Sequence, residues 1–185
     1  MNDSASDRSS VRLAEIAAAL GSRWPGVSAP DEDPRDLLPE AFAIIGFDRA
    51  LALTLDCVGD FVRDCLGDSG PGAKLLQAAA EGRKDEAGAR LTEVQRDQEE
   101  LSADLSAEEF NSRGSANQVC ISIGEAVTQP TCNRSDLLAE AVEISTAGRY
   151  YFNIVKSGES NSPEIHDVVR STLQKLGDHL HSFRR

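Results

Sequence analysis

The sequence predicts an all-α protein, a single-domain bundle of about six to seven helices around a central apolar helix over residues 37–66. Three observations predict this fold class. Apolar residues recur at spacings of three and four along most of the chain, and capping residues stand where these patterns begin. The 185 residues are 40% apolar and 27% charged, which is the balance of a globular protein. This length suits one domain, so residues 10–185 are predicted to form a single helical domain.

The N-terminal part is predicted to hold one helix between two irregular segments. Residues 1–9 are polar and are expected to form a disordered tail. A helix is then expected to begin at an N-cap of Ser9 or Ser10 and to end at Gly21. Residues 25–36 combine prolines with acids and predict an acidic loop, whose acids are Asp31, Glu32, Asp33 and Asp36.

The segment 37–66 is the candidate for the central helix. Pro39 suits the first turn of a helix, and the ten large apolar residues from Phe42 to Val62 cover most of the circumference. A helix that is apolar nearly all round is expected at the centre of a bundle, with a kink at Gly46 or Gly59. Its polar residues fall on one narrow stripe, where arginines are expected to pair with aspartates: Arg49, Asp56, Asp60 and Arg63.

The next segment, "GDSGPG" at residues 67–72, resembles the nucleophile loop of chymotrypsin-like serine proteases, with Ser69 in the nucleophile position. The resemblance covers four residues, and that family places its histidine and aspartate before the serine. Here the first histidine is His166. Because a catalytic triad needs a base within hydrogen-bond reach of the serine, the segment is predicted to be a polar turn between helices.

Two helices are predicted between residues 85 and 128. The first carries an apolar stripe at spacings of four and three, made of Ala87, Leu91, Val94, Gln98, Leu101 and Leu105. The sequence "SAEE" then forms a capping box, in which Ser106 and Glu109 each bind the other's backbone amide. The second helix is expected to begin there and to run towards Thr128.

Two more helices are predicted to follow. One begins at Ser135 as N-cap, and the other opens with Pro163. The strand-forming residues near 118–123 and 149–155 leave an alternative open, an α+β fold with short strands at those two places.

The charge of the chain limits its partners. Acids outnumber bases by 31 to 19, which gives a net charge of −12. Such a chain repels nucleic acid and anionic membranes and attracts basic proteins. The chain starts with polar residues and has no apolar run long enough to span a bilayer, which predicts a cytoplasmic protein. Its four cysteines form no C-x-x-C pair and are predicted to be reduced thiols. The excess of arginine (15) over lysine (4) suggests a bacterial origin.

No catalytic, cofactor-binding or metal-binding residues are predicted. All three histidines fall on the last predicted helix, where His179 and His181 point about 200° apart and cannot share an ion. The Glu-x-x-His pairs of carboxylate-bridged metal bundles do not occur. The sequence therefore favours binding over catalysis.

The candidate binding surface is a run of acids without bases. Like charges at spacings of three and four on one helix flank destabilise the helix, as do acids near its C-terminus, so such acids indicate either a solvated face or a docking surface for a basic partner. Tyr150 is a further candidate for partner binding, because its polar hydroxyl is expected to reach a pocket or a partner. The predicted partner-binding residues are Asp97, Glu99, Glu100, Asp104, Glu108, Glu109 and Tyr150.

The function predicted from these features is protein–protein binding. Its most specific form is a bacterial immunity-type or inhibitor protein that neutralises a basic toxin or nuclease. The alternatives are a helical scaffold or regulatory subunit of a bacterial defence or biosynthetic system, and a small-molecule-binding protein or cofactor-free enzyme with a pocket between helices.

Overall fold

The computed structural model describes residues 3–22, 37–101, 104–129, 133–157 and 164–183. Within these ranges the chain forms eight helices and no strand. The all-α prediction is confirmed, and the α+β alternative is wrong. The helices are α1 (Asp3–Ser22), α2 (Leu38–Ile45), α3 (Phe47–Leu66), α4 (Pro71–Ala80), α5 (Lys84–Glu99), α6 (Ala107–Thr128), α7 (Arg134–Ser157) and α8 (Glu164–Ser182).

The segment predicted as one helix over 37–66 is two helices divided at Gly46. Gly46 has φ +83° and ψ 157°, a backbone conformation that is essentially restricted to glycine. Its amide donates to the carbonyl of Phe42 and ends α2, while its own carbonyl accepts from Ala50 in the first turn of α3. Gly59, the other predicted kink, lies inside the continuous helix α3.

Helix α3 lies at the centre of the bundle, in contact with α2, α4, α6, α7 and α8. Its four stripe residues Arg49, Asp56, Asp60 and Arg63 are all exposed. Arg63 forms the expected ion pair with Asp60, whereas the Arg49 guanidinium lies 5.4 Å from the centroid of the Phe183 ring. Helix α6 is the second central element, because it contacts α3, α4, α5 and α7.

The segment 118–123, whose alternating residues suggested a strand, lies in the middle of α6 and is helical. Its side chains pack against the neighbouring helices. Val119, Cys120 and Ile123 are fully buried, and the small residues of α6 allow its neighbours to approach. A buried helix of mixed small and apolar residues satisfies all backbone hydrogen bonds internally, so tertiary packing overrides the local preference for strand.

Helix α7 packs closely against α3 and α6 at Gly148. A Cβ atom on Gly148 would lie 2.6 Å from the Cβ of Ser115 and nearer still to the ring of Phe61. In the sequence, Gly148 is a gap in a stripe of larger residues at helical spacing, which predicts such a close approach of another helix. Tyr151 continues the same stripe, which predicts a place in the core, but it is only half-buried. Val155, at the end of the stripe, is 41% exposed.

The two terminal helices pack on each other, and α1 also contacts α2. Helix α1 begins at Asp3, so it includes most of the segment predicted as a disordered tail over residues 1–9. A helix extends more easily than it nucleates, which accounts for the additional turns. The Arg12 guanidinium donates to both carboxylate oxygens of Glu40 at 2.8 and 2.9 Å and thereby joins α1 to α2.

Cys57, Cys65 and Cys120 are free thiols, as predicted. The acidic loop predicted over 25–36 and Cys132 lie outside the described residues. No described helix is long and apolar enough to cross a membrane.

Candidate functional site

The acids predicted at the end of α5 meet an open cleft of about 610 Å³, which we call the α5–α6 cleft. Its walls come from the end of α3, the α3–α4 turn, the end of α5, the α5–α6 connection and the first half of α6. The lining residues are Cys65, Leu66, Gly67, Pro71, Gly72, Asp97, Glu100, Leu101, Leu105, Arg113 and Asn117.

Helix α5, which forms part of the cleft wall, ends earlier than its apolar stripe predicts. The helix ends at Glu99, and the amide of Glu100 caps it by donating to the carbonyl of Arg96 at 2.9 Å. The predicted continuation of the helix to Leu105 is wrong. Leu101 and Leu105 instead line the cleft as half-buried side chains, which still removes part of their apolar surface from water.

Charged side chains of both signs line the cleft without pairing. Asp97 is half-buried, and Glu100 and Arg113 are exposed. Within the described ranges, none of the three has an oppositely charged side chain within 4.0 Å. Their charges are therefore available to a ligand.

Asn117 contributes a buried polar group to the same cleft. The residue is only 3% exposed, and its side chain has no hydrogen bond to any described residue. The polar atoms of its amide are not among the described side-chain atoms that are fully buried without a partner, so they are accessible from the open cleft. Its place in the cleft wall makes it a hydrogen-bonding group for whatever enters.

Cys65 does not supply a nucleophile to the cleft. Burial, together with the nearby Asp64 carboxylate, raises the pKa of the Cys65 thiol to about 12. The reactive form of cysteine is the thiolate, so this thiol is unreactive near neutral pH. Ser69 is exposed in the α3–α4 turn, as predicted for "GDSGPG", and Gly67, Pro71 and Gly72 of that segment form one wall of the cleft.

The acids Glu108 and Glu109 belong to the start of α6. The predicted capping box is present: Ser106 Oγ accepts from the Glu109 amide and Glu109 Oε2 accepts from the Ser106 amide, both at 3.2 Å. Glu109 thus has a structural role, and Glu108 is half-buried beside it.

The other predicted residues, Glu99, Asp104 and Tyr150, do not line the cleft. Glu99 is exposed at the end of α5, and Asp104 is exposed in the α5–α6 connection. Asp104 therefore does not share a helix flank with Asp97 and Glu100, contrary to the sequence prediction. Tyr150 is half-buried on α7, its ring centroid 5.1 Å from that of Tyr151, and it does not line the α5–α6 cleft.

Sequence reasoning missed the contribution of α6 to the site. Phe110, Arg113 and Asn117 are spaced by three and four residues and so share one face of α6. Arg113 and Asn117 line the cleft, and Phe110, one turn before Arg113, is 43% exposed. Their spacing in the sequence is the signal that could have indicated a shared face of α6.

A second cleft, the α3 groove, lies on another side of the bundle and also has a volume of about 610 Å³. Its lining is mostly apolar and includes Phe47, Leu51 and Leu55 of α3. Arg134 also lines it, and its guanidinium lies 3.1 Å from the centroid of the Phe47 ring. Unlike the α5–α6 cleft, this groove holds a cation that already has an aromatic partner.

The described residues contain no group of three or more histidines, cysteines or acids that could hold a metal ion. Comparison with known proteins gave no match to any family model, curated protein or solved structure. The geometry and charge of the α5–α6 cleft are therefore the features that bear on function.

Proposed function

We propose that this protein acts by binding a basic protein partner, with a cationic side chain of that partner entering the α5–α6 cleft. The observation that carries the proposal is that Asp97 and Glu100 both line an open cleft and that neither has a cationic partner among the residues that the structure describes. Leu66, Leu101 and Leu105 line the same cleft and match the apolar stem of a long basic side chain.

The surroundings of the cleft support a protein partner. The net charge of −12 attracts a basic protein over distance and accelerates association. Phe110, on the same face of α6 as Arg113, is one of three large apolar residues that the described part of the chain exposes. An exposed aromatic side chain beside a cleft is the type of residue that anchors protein interfaces.

The most specific form of this proposal is an immunity-type or inhibitor protein that neutralises a basic toxin or nuclease in the cytoplasm of a bacterium. Proteins that act on nucleic acid carry basic surfaces for the phosphate backbone. An acidic protein that covers such a surface would block access to the nucleic acid.

The proposal is tested with two variants of equal total charge. Asp97→Asn/Glu100→Gln removes both carboxylates from the α5–α6 cleft. Asp56→Asn/Asp178→Asn removes two exposed carboxylates from α3 and α8 and serves as the matched control. Each protein is immobilised, exposed to extract of its cells of origin, and the captured proteins are identified by mass spectrometry.

We expect the wild-type and control proteins to retain the same basic protein and the cleft variant to lose it. With that protein purified, the dissociation constant should rise at least about tenfold in the cleft variant, a difference of about 1.4 kcal/mol. Equal binding by all three proteins, or retention of acidic proteins alone, would contradict the proposal.

A further inference from the structure

A partner that offered only a cation would leave Arg113 unused. The α5–α6 cleft contains two carboxylates and one guanidinium, and none of them is paired with another described side chain. A lone cation would gain from Asp97 and Glu100 but would be opposed by Arg113, because like charges in one cleft repel. Only a ligand that carries both signs satisfies all three groups.

Asn117 provides independent evidence that the cleft binds a polar ligand. Its side chain is almost completely buried, lines the cleft and has no hydrogen bond to the described residues. An amide both donates and accepts, so it can complete the hydrogen bonds of a ligand that has a cationic and an anionic end.

The size and walls of the cleft fit a compact ligand of this type. The volume of about 610 Å³ falls in the range of about 300–1,000 Å³ typical of small-ligand sites. Such sites combine apolar walls with a few convergent polar groups. Here the apolar wall is formed by Cys65, Leu66, Leu101 and Leu105.

We propose that the α5–α6 cleft binds a basic zwitterion, in which a guanidinium contacts Asp97 and Glu100 while a carboxylate contacts Arg113. A guanidinium is favoured over an ammonium because two of its N–H groups can donate parallel hydrogen bonds to one carboxylate. It is also more weakly hydrated, so it enters a cleft more easily. The chemistry is that of an arginine with a free carboxylate, either the C-terminal residue of a polypeptide or the free amino acid. This inference rests on the proposed docking role of the cleft, but its test does not need the partner.

The test uses three small probes, each titrated into the full-length protein by calorimetry and by NMR of the Asn117 side-chain amide. Nα-acetyl-L-arginine carries both charges and represents a C-terminal residue. Its carboxamide carries only the guanidinium and represents an internal residue. L-Arginine represents the free amino acid.

We expect Nα-acetyl-L-arginine to bind about tenfold more tightly than its carboxamide and to shift the Asn117 amide resonance. Arg113→Gln should remove this preference, and Asp97→Asn/Glu100→Gln should weaken both probes. L-Arginine binding more tightly than the acetylated form would identify the free amino acid as the ligand, and the reverse order would identify a chain end. Both results support a zwitterion site.

Equal affinity for the acid and the carboxamide, or no binding of any probe at millimolar concentration, would overturn the inference. The protein-docking proposal would survive either result if the basic partner still required Asp97 and Glu100. Conversely, if the probes bind but no basic protein depends on the cleft, the zwitterion site stands and the protein-docking role fails.

Discussion

Gly148 on α7 packs directly against Phe61 of α3 and Ser115 of α6. A Cβ atom there would meet the ring of Phe61 and the Cβ of Ser115, which lies 2.6 Å away. Ser115 is on a helix and cannot move independently, so Gly148→Ala should lower the free energy of unfolding by about 1–3 kcal/mol through overpacking. Urea denaturation followed by circular dichroism measures this change.

Gly88→Ala is the matched control for Gly148→Ala. Gly88 also lies inside a helix, but a Cβ there would only touch the Cγ2 of Thr128 at 3.6 Å, an ordinary contact. Alanine is favoured over glycine in helices by about 0.5–1 kcal/mol, so this variant should be more stable than wild type. Equal effects of the two substitutions would contradict the packing assigned to Gly148.

Single residues differ in how far the sequence reveals them. Gly148 was recognisable because it interrupts a row of large side chains, and Asp97 and Glu100 because no base accompanies them. Arg113 and Asn117 belong to no charge run or motif, and they join the site only because α6 packs beside the end of α5. That contact depends on the three-dimensional fold.

The start of α6 depends on the Ser106–Glu109 capping box, which positions the face that carries Arg113 and Asn117. Ser106→Ala removes the side chain that accepts from the Glu109 amide and should cost about 1 kcal/mol of stability. Ser106→Asp keeps an acceptor at the N-cap and should retain most of that stability. A chemical denaturation series of the three proteins checks the order, and an alanine variant as stable as wild type would contradict this role for Ser106.

The ion pair between Arg12 and Glu40 links α1 to α2. The hydrogen bond from Arg12 lowers the pKa of the Glu40 carboxyl below its ordinary value. The link therefore contributes fully above the ordinary pKa of glutamate and is lost as pH falls through the lowered value. Because both side chains are more than 40% exposed, the effect is expected to be local to α1.

Glu40→Gln should lower the hydrogen-exchange protection of α1 amides near neutral pH. Glu15→Gln is the control, because Glu15 contacts Arg12 within α1 at 3.2 Å and does not join two helices. The difference between the two variants should shrink in acid, where Glu40 of the wild type is also neutral. If α1 is equally protected in both variants near neutral pH, the Arg12–Glu40 pair does not hold α1 to α2.

Helix boundaries show where patterns in sequence stop being informative. The helical spacing of apolar residues that begins at Ala87 continues through Leu101 and Leu105, yet the helix ends at Glu99. Spacing alone cannot distinguish a residue that continues a helix from one that lines an adjacent cleft. Gly46 posed a related problem, since a glycine in an apolar helical pattern can bend a helix or, as here, divide it.

At the scale of the whole molecule, the all-α class followed from the sequence because the spacings of three and four extend over most of the chain. The arrangement of the helices did not follow, because their apolar faces are similar and can pair in several ways. The net charge of −12 predicts that the partner is positively charged. The location of the α5–α6 cleft determines which acids that partner contacts.

The most direct test of the account is the salt dependence of the partner's dissociation constant for wild type, Asp97→Asn/Glu100→Gln and Asp56→Asn/Asp178→Asn. The two variants have the same net charge, so long-range attraction changes equally in both. We predict that the cleft variant binds at least about tenfold more weakly at low salt and responds less to added salt than the control, which stays near wild type. An equal loss of affinity in both variants would show that net charge, and not the α5–α6 cleft, holds the partner.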